Sequence, residues 1–255
     1  MDSRSGAMAQ SIINSANEDR ENFWVESRKR LFRREFVKSI VGRDDHNLNV
    51  LEIGPGVGEN LDNFLGPNGE RPHITDVDLA PLTICQSGGH LLSTQSDAAS
   101  LPYRSGSFDF VLAGDVLEHC QNDAKSLMEI WRVVRDEGSV VLTVPAFMVL
   151  WSRHDELAGH KRRYRKHDFL LLCEKSGFQV QEAYYFNFIL FLPTLVTKKA
   201  LKLVKPRAYV DATSTPSKLN ALLLLIMRFD IYVAPKLRAP FGISIFVRLK
   251  KQVIE

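Results

Sequence analysis

The chain of 255 residues has little cysteine, little net charge and no long apolar run. Its three cysteines, Cys85, Cys120 and Cys173, are odd in number and show no C-x-x-C spacing, which argues against a disulfide framework and against a zinc site. Spare thiols in a reducing compartment are the expectation, and no metal ligand set is expected. A formal net charge of +3 is too small to argue for a nucleic-acid partner. No window reaches the ~20 apolar residues of a spanning helix. The first twenty residues are too polar for a secretory signal, so cytoplasmic residence is expected. The length fits one α/β domain with additions.

The most informative segment is Val50-Leu51-Glu52-Ile53-Gly54-Pro55-Gly56-Val57-Gly58. An apolar strand ends in a carboxylate and breaks into a turn with glycine at every second position. Glycine takes positive φ without a steric penalty and lets backbone approach a ligand closely. Such a turn opens a nucleotide pocket at the carboxyl end of the first strand of an α/β sheet. A dinucleotide fingerprint, G-x-G-x-x-G, would need its third glycine at Glu59. A nicotinamide-dependent reductase is further disfavoured because Tyr164 is followed four residues later by Asp168, not by lysine.

Strand and helix signals alternate from residue 48. Strands are predicted at 49–53, 73–77, 92–96, 109–114, 139–144, 178–186 and 242–249, and helices at 57–65, 80–87, 121–135 and 167–176. The alternation implies a mostly parallel sheet covered on both faces. A helix over 9–41 carries an apolar face with Phe23, Trp24, Leu31, Phe32 and Phe36. Its Arg28, Lys29, Arg30, Arg33, Arg34 and Lys38 read as a solvated basic face. The expected organisation is an N-terminal helical extension (1–47), an α/β core (48–186) with a long loop at 146–166, an apolar helical insertion (187–240) and a final core strand (241–255).

The E-x-G-x-G-x-G run resembles the first motif of class I S-adenosylmethionine (SAM) methyltransferases. Asp78-Leu79-Ala80-Pro81, Ser96-Asp97-Ala98 with Leu101-Pro102, Ser107-Phe108-Asp109-Phe110-Val111 with Asp115-Val116-Leu117-Glu118-His119, and Gly138 to Pro145 are similar to its later motifs. Together they cover 48–146 in the family's order. The resemblance implies a Rossmann-like seven-stranded sheet whose last strand inserts antiparallel. It also implies SAM as methyl donor, with S-adenosyl-L-homocysteine as product. Backbone N–H groups of Gly54, Gly56 and Gly58 would meet the methionyl carboxylate at a helix N-terminus, and Glu52 its amino group. Asp78, beside Leu79 in the family's D-L-A-P pattern, would hold the ribose diol, ahead of Asp76, which competes for that role. Asp97 and Ala98 would meet the adenine, and Asp115 would open onto the cofactor. An N-terminal helix lying over the pocket is common in the family.

Methyl transfer to a hydroxyl needs alignment and a base. His119 is the first candidate, with Glu118 beside it to orient base or substrate. Trp151-Ser152-Arg153-His154-Asp155 and Gly159-His160-Lys161-Arg162-Arg163-Tyr164 resemble a W-S-x-x-D…G-H-x-R-R-Y loop of a subset of these enzymes. Trp151, His154, Arg162 and Arg163 are candidate acceptor contacts, and His160 and Tyr164 further candidate proton acceptors. The alternative is a lid stapled internally, with Asp155 paired to an arginine. The apolar stretches at 184–193 and 219–233 suit a cap over a small-molecule or lipid-like acceptor, a helical layer or dimer interface, or peripheral membrane contact through 188–235. No N-P-P-Y motif follows the fourth strand, so a nucleic-acid acceptor is not expected. A SAM-binding protein that does not methylate, and a membrane-associated interaction protein, remain the rival functions.

Overall fold

The computed structural model describes residues 22–40, 48–64, 71–89, 92–204 and 216–251. The expected helical residues 9–21 and most of the polar linker at 205–217 lie outside them. A helix, Phe23–Ile40 (α1), precedes the first strand, Val50–Ile53 (β1). Then come His73–Asp76 (β2), Leu79–Ser87 (α2), Ser93–Gln95 (β3), Phe108–Gly114 (β4), Asp123–Val133 (α3) and Val134–Pro145 (β5). The rest is Arg153–Leu157 (α4), Lys166–Lys175 (α5), Phe178–Phe186 (β6), Phe191–Val204 (α6), Ser217–Leu237 (α7) and Ser244–Lys251 (β7). The strands form one seven-stranded sheet in the order β3-β2-β1-β4-β5-β7-β6. β7 lies antiparallel between β5 and β6, while β1 to β5 pair parallel.

Both faces are covered, so the central strands are buried at consecutive positions rather than at alternate ones. Val111, Ala113, Val140, Leu142 and Val247 face α3 and α5, meeting Leu127, Ile130, Phe169 and Cys173. Their neighbours Phe110, Leu112, Val141 and Phe246 face the other way, packing with Leu31, Phe32 and Phe36 of α1 and Ile231 and Ala234 of α7. The second helix of the apolar insertion, α7, is therefore part of a helical layer on the α1 side of the sheet. Its outer face leaves Leu222, Leu225, Phe229 and Tyr232 exposed. Among the described residues no helix is long and apolar enough to cross a membrane.

Two expectations need correction. The predicted helix at 57–65 is a turn followed by a single 3-10 turn at Leu61–Phe64. Gly54, Gly56 and Gly58 all have positive φ, and the Gly58 amide donates to the Pro55 carbonyl, which curls the chain instead of starting an α-helix. The basic face of α1 is also only partly solvated. Arg30 and Arg33 are exposed, but Arg34 turns inward to Tyr184 Oη (2.8 Å), the Ile231 carbonyl (2.8 Å) and the fully buried Glu35 (2.8 Å). Arg28 reaches the functional site.

Candidate active site

β1 delivers Glu52 to the foot of the glycine turn. Its carboxyl group is buried; Oε1 accepts from Asn60 Nδ2 (3.0 Å) and Oε2 has no partner. Burial pushes its pKa up to about 8, against the Asn60 hydrogen bond. A desolvated carboxyl with an orphaned oxygen suits a cationic ligand group. The turn itself abuts the loop after β4. A Cβ built on Gly54 would lie 2.6 Å from Val116 Cγ2, and φ there is +68°. Glycine is therefore required at this position by contact as well as by backbone.

The other acids follow along the same edge. Asp78 is exposed at the N-terminus of α2 and makes no side-chain cap bond. Asp76 instead accepts from the Asp78 amide (2.9 Å). Leu79 is exposed beside it. Asp97 is exposed, its Oδ1 accepting from the Ala99 amide (2.8 Å), and Ala98 is buried next to it. Asp115 has a left-handed backbone (φ 56°), and its carboxylate accepts from Thr143 Oγ1 (3.0 Å) and pairs with Arg28. Arg28 was assigned by its helical spacing to the solvated face. What brings it in is Gly114, where an added Cβ would stand 2.9 Å from Phe32 Cζ and 3.0 Å from Arg28 Nη2. Only the missing side chain lets α1 come this close. Nothing in the sequence spacing marks Arg28, Asn60 or Thr143.

His119 sits at the rim, edge-on to His160 with ring centroids 4.7 Å apart. Burial, then the neighbouring His160, lowers its pKa, so its imidazole is neutral at physiological pH. Glu118 is fully buried, and burial and the charge of Asp115 push its pKa well above the usual carboxylate range.

The loop after β5 is held by its own polar groups. Ser152 and Asp155 form a capping box on α4. Asp155 accepts from Ser152 N (2.9 Å), Arg163 Nε (2.7 Å) and His160 Nδ1 (2.9 Å). Burial alone would raise its pKa; the hydrogen bonds from His160 and Arg163 outweigh that and hold it well below the carboxylate range. Arg163 also donates to the Ala146 carbonyl. Arg162 pairs with Asp123 (2.9 Å) and donates to the Gln121 carbonyl (3.0 Å). Tyr164 is buried, and its hydroxyl donates to Asp123 Oδ2 (2.9 Å). Burial and Asp123 raise its pKa far above that of a free phenol, so its proton stays on. Arg162, Arg163 and Tyr164 thus fasten the loop, which matches the stapled alternative. His154 is exposed, with its ring centroid 6.1 Å from that of His160, and Trp151 is half-buried at the loop's start.

This sheet order, with one antiparallel strand inserted between β5 and β6, is the class I methyltransferase fold. Residues 51–142 match the family model of the methyltransferase domain. The chain is 26% identical over 165 residues to a protein of Mycolicibacterium smegmatis described as a probable S-adenosylmethionine-dependent methyltransferase, covering 64% of this chain. The match spans 62% of that relative's length. Among solved structures, Haemonchus contortus phosphoethanolamine N-methyltransferase 2 in complex with S-adenosyl-L-methionine has TM-score 0.54 at 16% identity, over 86% of this chain and 53% of that one. The [4+2]-cyclase SpnF has TM-score 0.53 at 18% identity, over 87% of this chain and 85% of that one. Residues 51–142 are thus similar to a methyltransferase domain, and the relative of which the chain spans 62% is described as dependent on S-adenosylmethionine. The orphaned Glu52 oxygen beneath a glycine turn fits that cofactor's ammonium group.

Proposed function

We propose that the protein transfers a methyl group from SAM to an oxygen nucleophile on a small, apolar or lipid-like acceptor. SAM supplies an electrophilic methyl group on a sulfonium. In this reading Glu52 receives the methionyl amino group and the glycine turn the carboxylate. Asp78 takes the ribose hydroxyls, Asp97 and Ala98 the adenine, and Asp115, steadied by Arg28, walls the reacting centre. The observation that carries the reading is His119, a neutral imidazole at the rim of the turn that follows β4 and abuts Gly54. It would accept the proton of an acceptor hydroxyl as that oxygen becomes methylated.

The apolar character of the acceptor rests on α6. Phe191 packs edge-on to Phe147, with centroids 5.7 Å apart, and Lys198 donates to the Leu150 carbonyl (2.7 Å). The insertion is thus joined to the loop beside His160, and Leu192 and Val196 lie exposed on it.

Methyl-labelled SAM and metabolite pools fractionated by polarity test the reading. Label should enter an apolar fraction, and His119→Ala should slow transfer on the order of 100-fold while S-adenosylhomocysteine binds as before. Cofactor binding without label transfer into any fraction would overturn it in favour of a non-methylating use of SAM.

A further inference from the structure

Glu118 is a charged side chain that the mechanism above leaves unexplained. It is 0% exposed, and neither carboxylate oxygen has a hydrogen-bond partner. A buried carboxylate is tolerated where a cation or donors meet it. The neighbouring arginines are committed elsewhere, Arg28 to Asp115 and Thr143, and Arg163 to Asp155 and the Ala146 carbonyl. Two imidazoles close the remaining side. One ligand atom from each of Glu118, His119 and His160 lies within 4.8 Å of the other two.

Both rings are already oriented as metal ligands are. His160 Nδ1 is held by Asp155 Oδ1 at 2.9 Å, leaving Nε2 for a ligand. His119 has a hydrogen bond to the Ala158 backbone, which fixes one of its nitrogens and leaves the other. A carboxylate or carbonyl on the far nitrogen is the usual support of a ligating histidine. The three residues come together because the Lys161 amide donates to the Glu118 carbonyl (2.8 Å), latching the loop after β5 onto the turn after β4. No local spacing joins them, so the sequence gives no sign of a metal site.

We propose that Glu118, His119 and His160 bind a divalent first-row transition-metal ion at the acceptor edge of the methyl-transfer site. Two nitrogens and one carboxylate suit Zn²⁺, Mn²⁺ or Fe²⁺ better than Mg²⁺ or Ca²⁺, which favour all-oxygen shells. Three protein ligands would leave coordination positions for an acceptor oxygen, and His119 is exposed to solvent. Binding of the ion stands apart from methyl transfer. Its chemical use rests on that reading: the ion would lower the pKa of the acceptor hydroxyl as a Lewis acid, so that the proton leaves to solvent water before the oxygen takes the methyl group, in place of transfer to a free His119 imidazole.

The test is titration of untagged, metal-stripped protein with Mn²⁺, read by electron paramagnetic resonance, and with Zn²⁺ by calorimetry. One saturable site per chain is expected, with excess Mg²⁺ failing to displace the ion. Glu118→Gln, nearly isosteric, His119→Ala, at an exposed position, and His160→Ala should each weaken binding at least about tenfold. The exposed His167→Ala should leave it unchanged. Absence of saturable binding, or equal binding in all three site variants, overturns the proposal. Since the ion is read directly, neither result bears on whether SAM binds or methyl transfer occurs.

Discussion

The two halves of the site handle polar groups in opposite ways. On the side proposed for the cofactor, Glu52 keeps an unpartnered oxygen and Asp78 makes no cap bond. On the acceptor side the charged groups of the loop are consumed by one another: Asp155 by Arg163, His160 and Ser152, and Asp123 by Arg162 and Tyr164. The first half presents groups to a ligand. The second uses nearly all of its loop groups to build a rigid support and presents the histidines and, from the turn after β4, the unpartnered Glu118. Conspicuous residues therefore mean different things in the two places, and an R-R-Y triplet can be mortar as readily as a binding fork.

Substitutions can break the contrast. The largest effect is expected from Gly54→Ala, where the new methyl meets Val116 and φ is positive. It should cost about 3 kcal/mol of cofactor affinity, about a hundredfold, measured by calorimetry with S-adenosylhomocysteine. Retained affinity would mean that the turn is not the cofactor's seat. Asp155→Ala should destabilise the fold by about 3 kcal/mol in urea denaturation, because it leaves the Arg163 guanidinium, 5% exposed, without its carboxylate. Cofactor affinity should fall little, which separates the two halves.

The smallest effect concerns pH. Glu52 has a raised pKa in the folded chain, about 8 against an ordinary 4.5. Its contribution to stability is fully present below pH about 4.5 and is lost as pH rises through about 8. Glu52→Gln should therefore flatten the fall in thermal stability between pH 5 and 9. In the unsubstituted chain, cofactor affinity should rise over the same interval as the carboxylate forms. A variant whose stability profile matches the original would assign the buried carboxyl no such role.

The sheet was legible because its strands are short apolar runs bounded by turns, and β6 matched its predicted bounds of 178–186. The glycine turn misled on its helix because three left-handed glycines curl the chain before an α-helix can begin. Glu52, Asp78 and Asp97 could be picked out because each sits at the end of a strand, where chain order fixes position. Arg28 could not, since its role depends on the gap at Gly114, a contact between segments far apart in the chain. Nor could the meeting of Glu118 with His160, which requires a backbone bond across two loops.

The pairing of Arg28 with Asp115 also sets where the working unit begins. The stretch recognisable by family likeness starts at residue 51, yet the counter-charge for a left-handed aspartate at its centre comes from a helix before that point. Cutting the chain at its recognisable border would strip that aspartate of its arginine partner. The structural unit begins upstream of the similarity boundary.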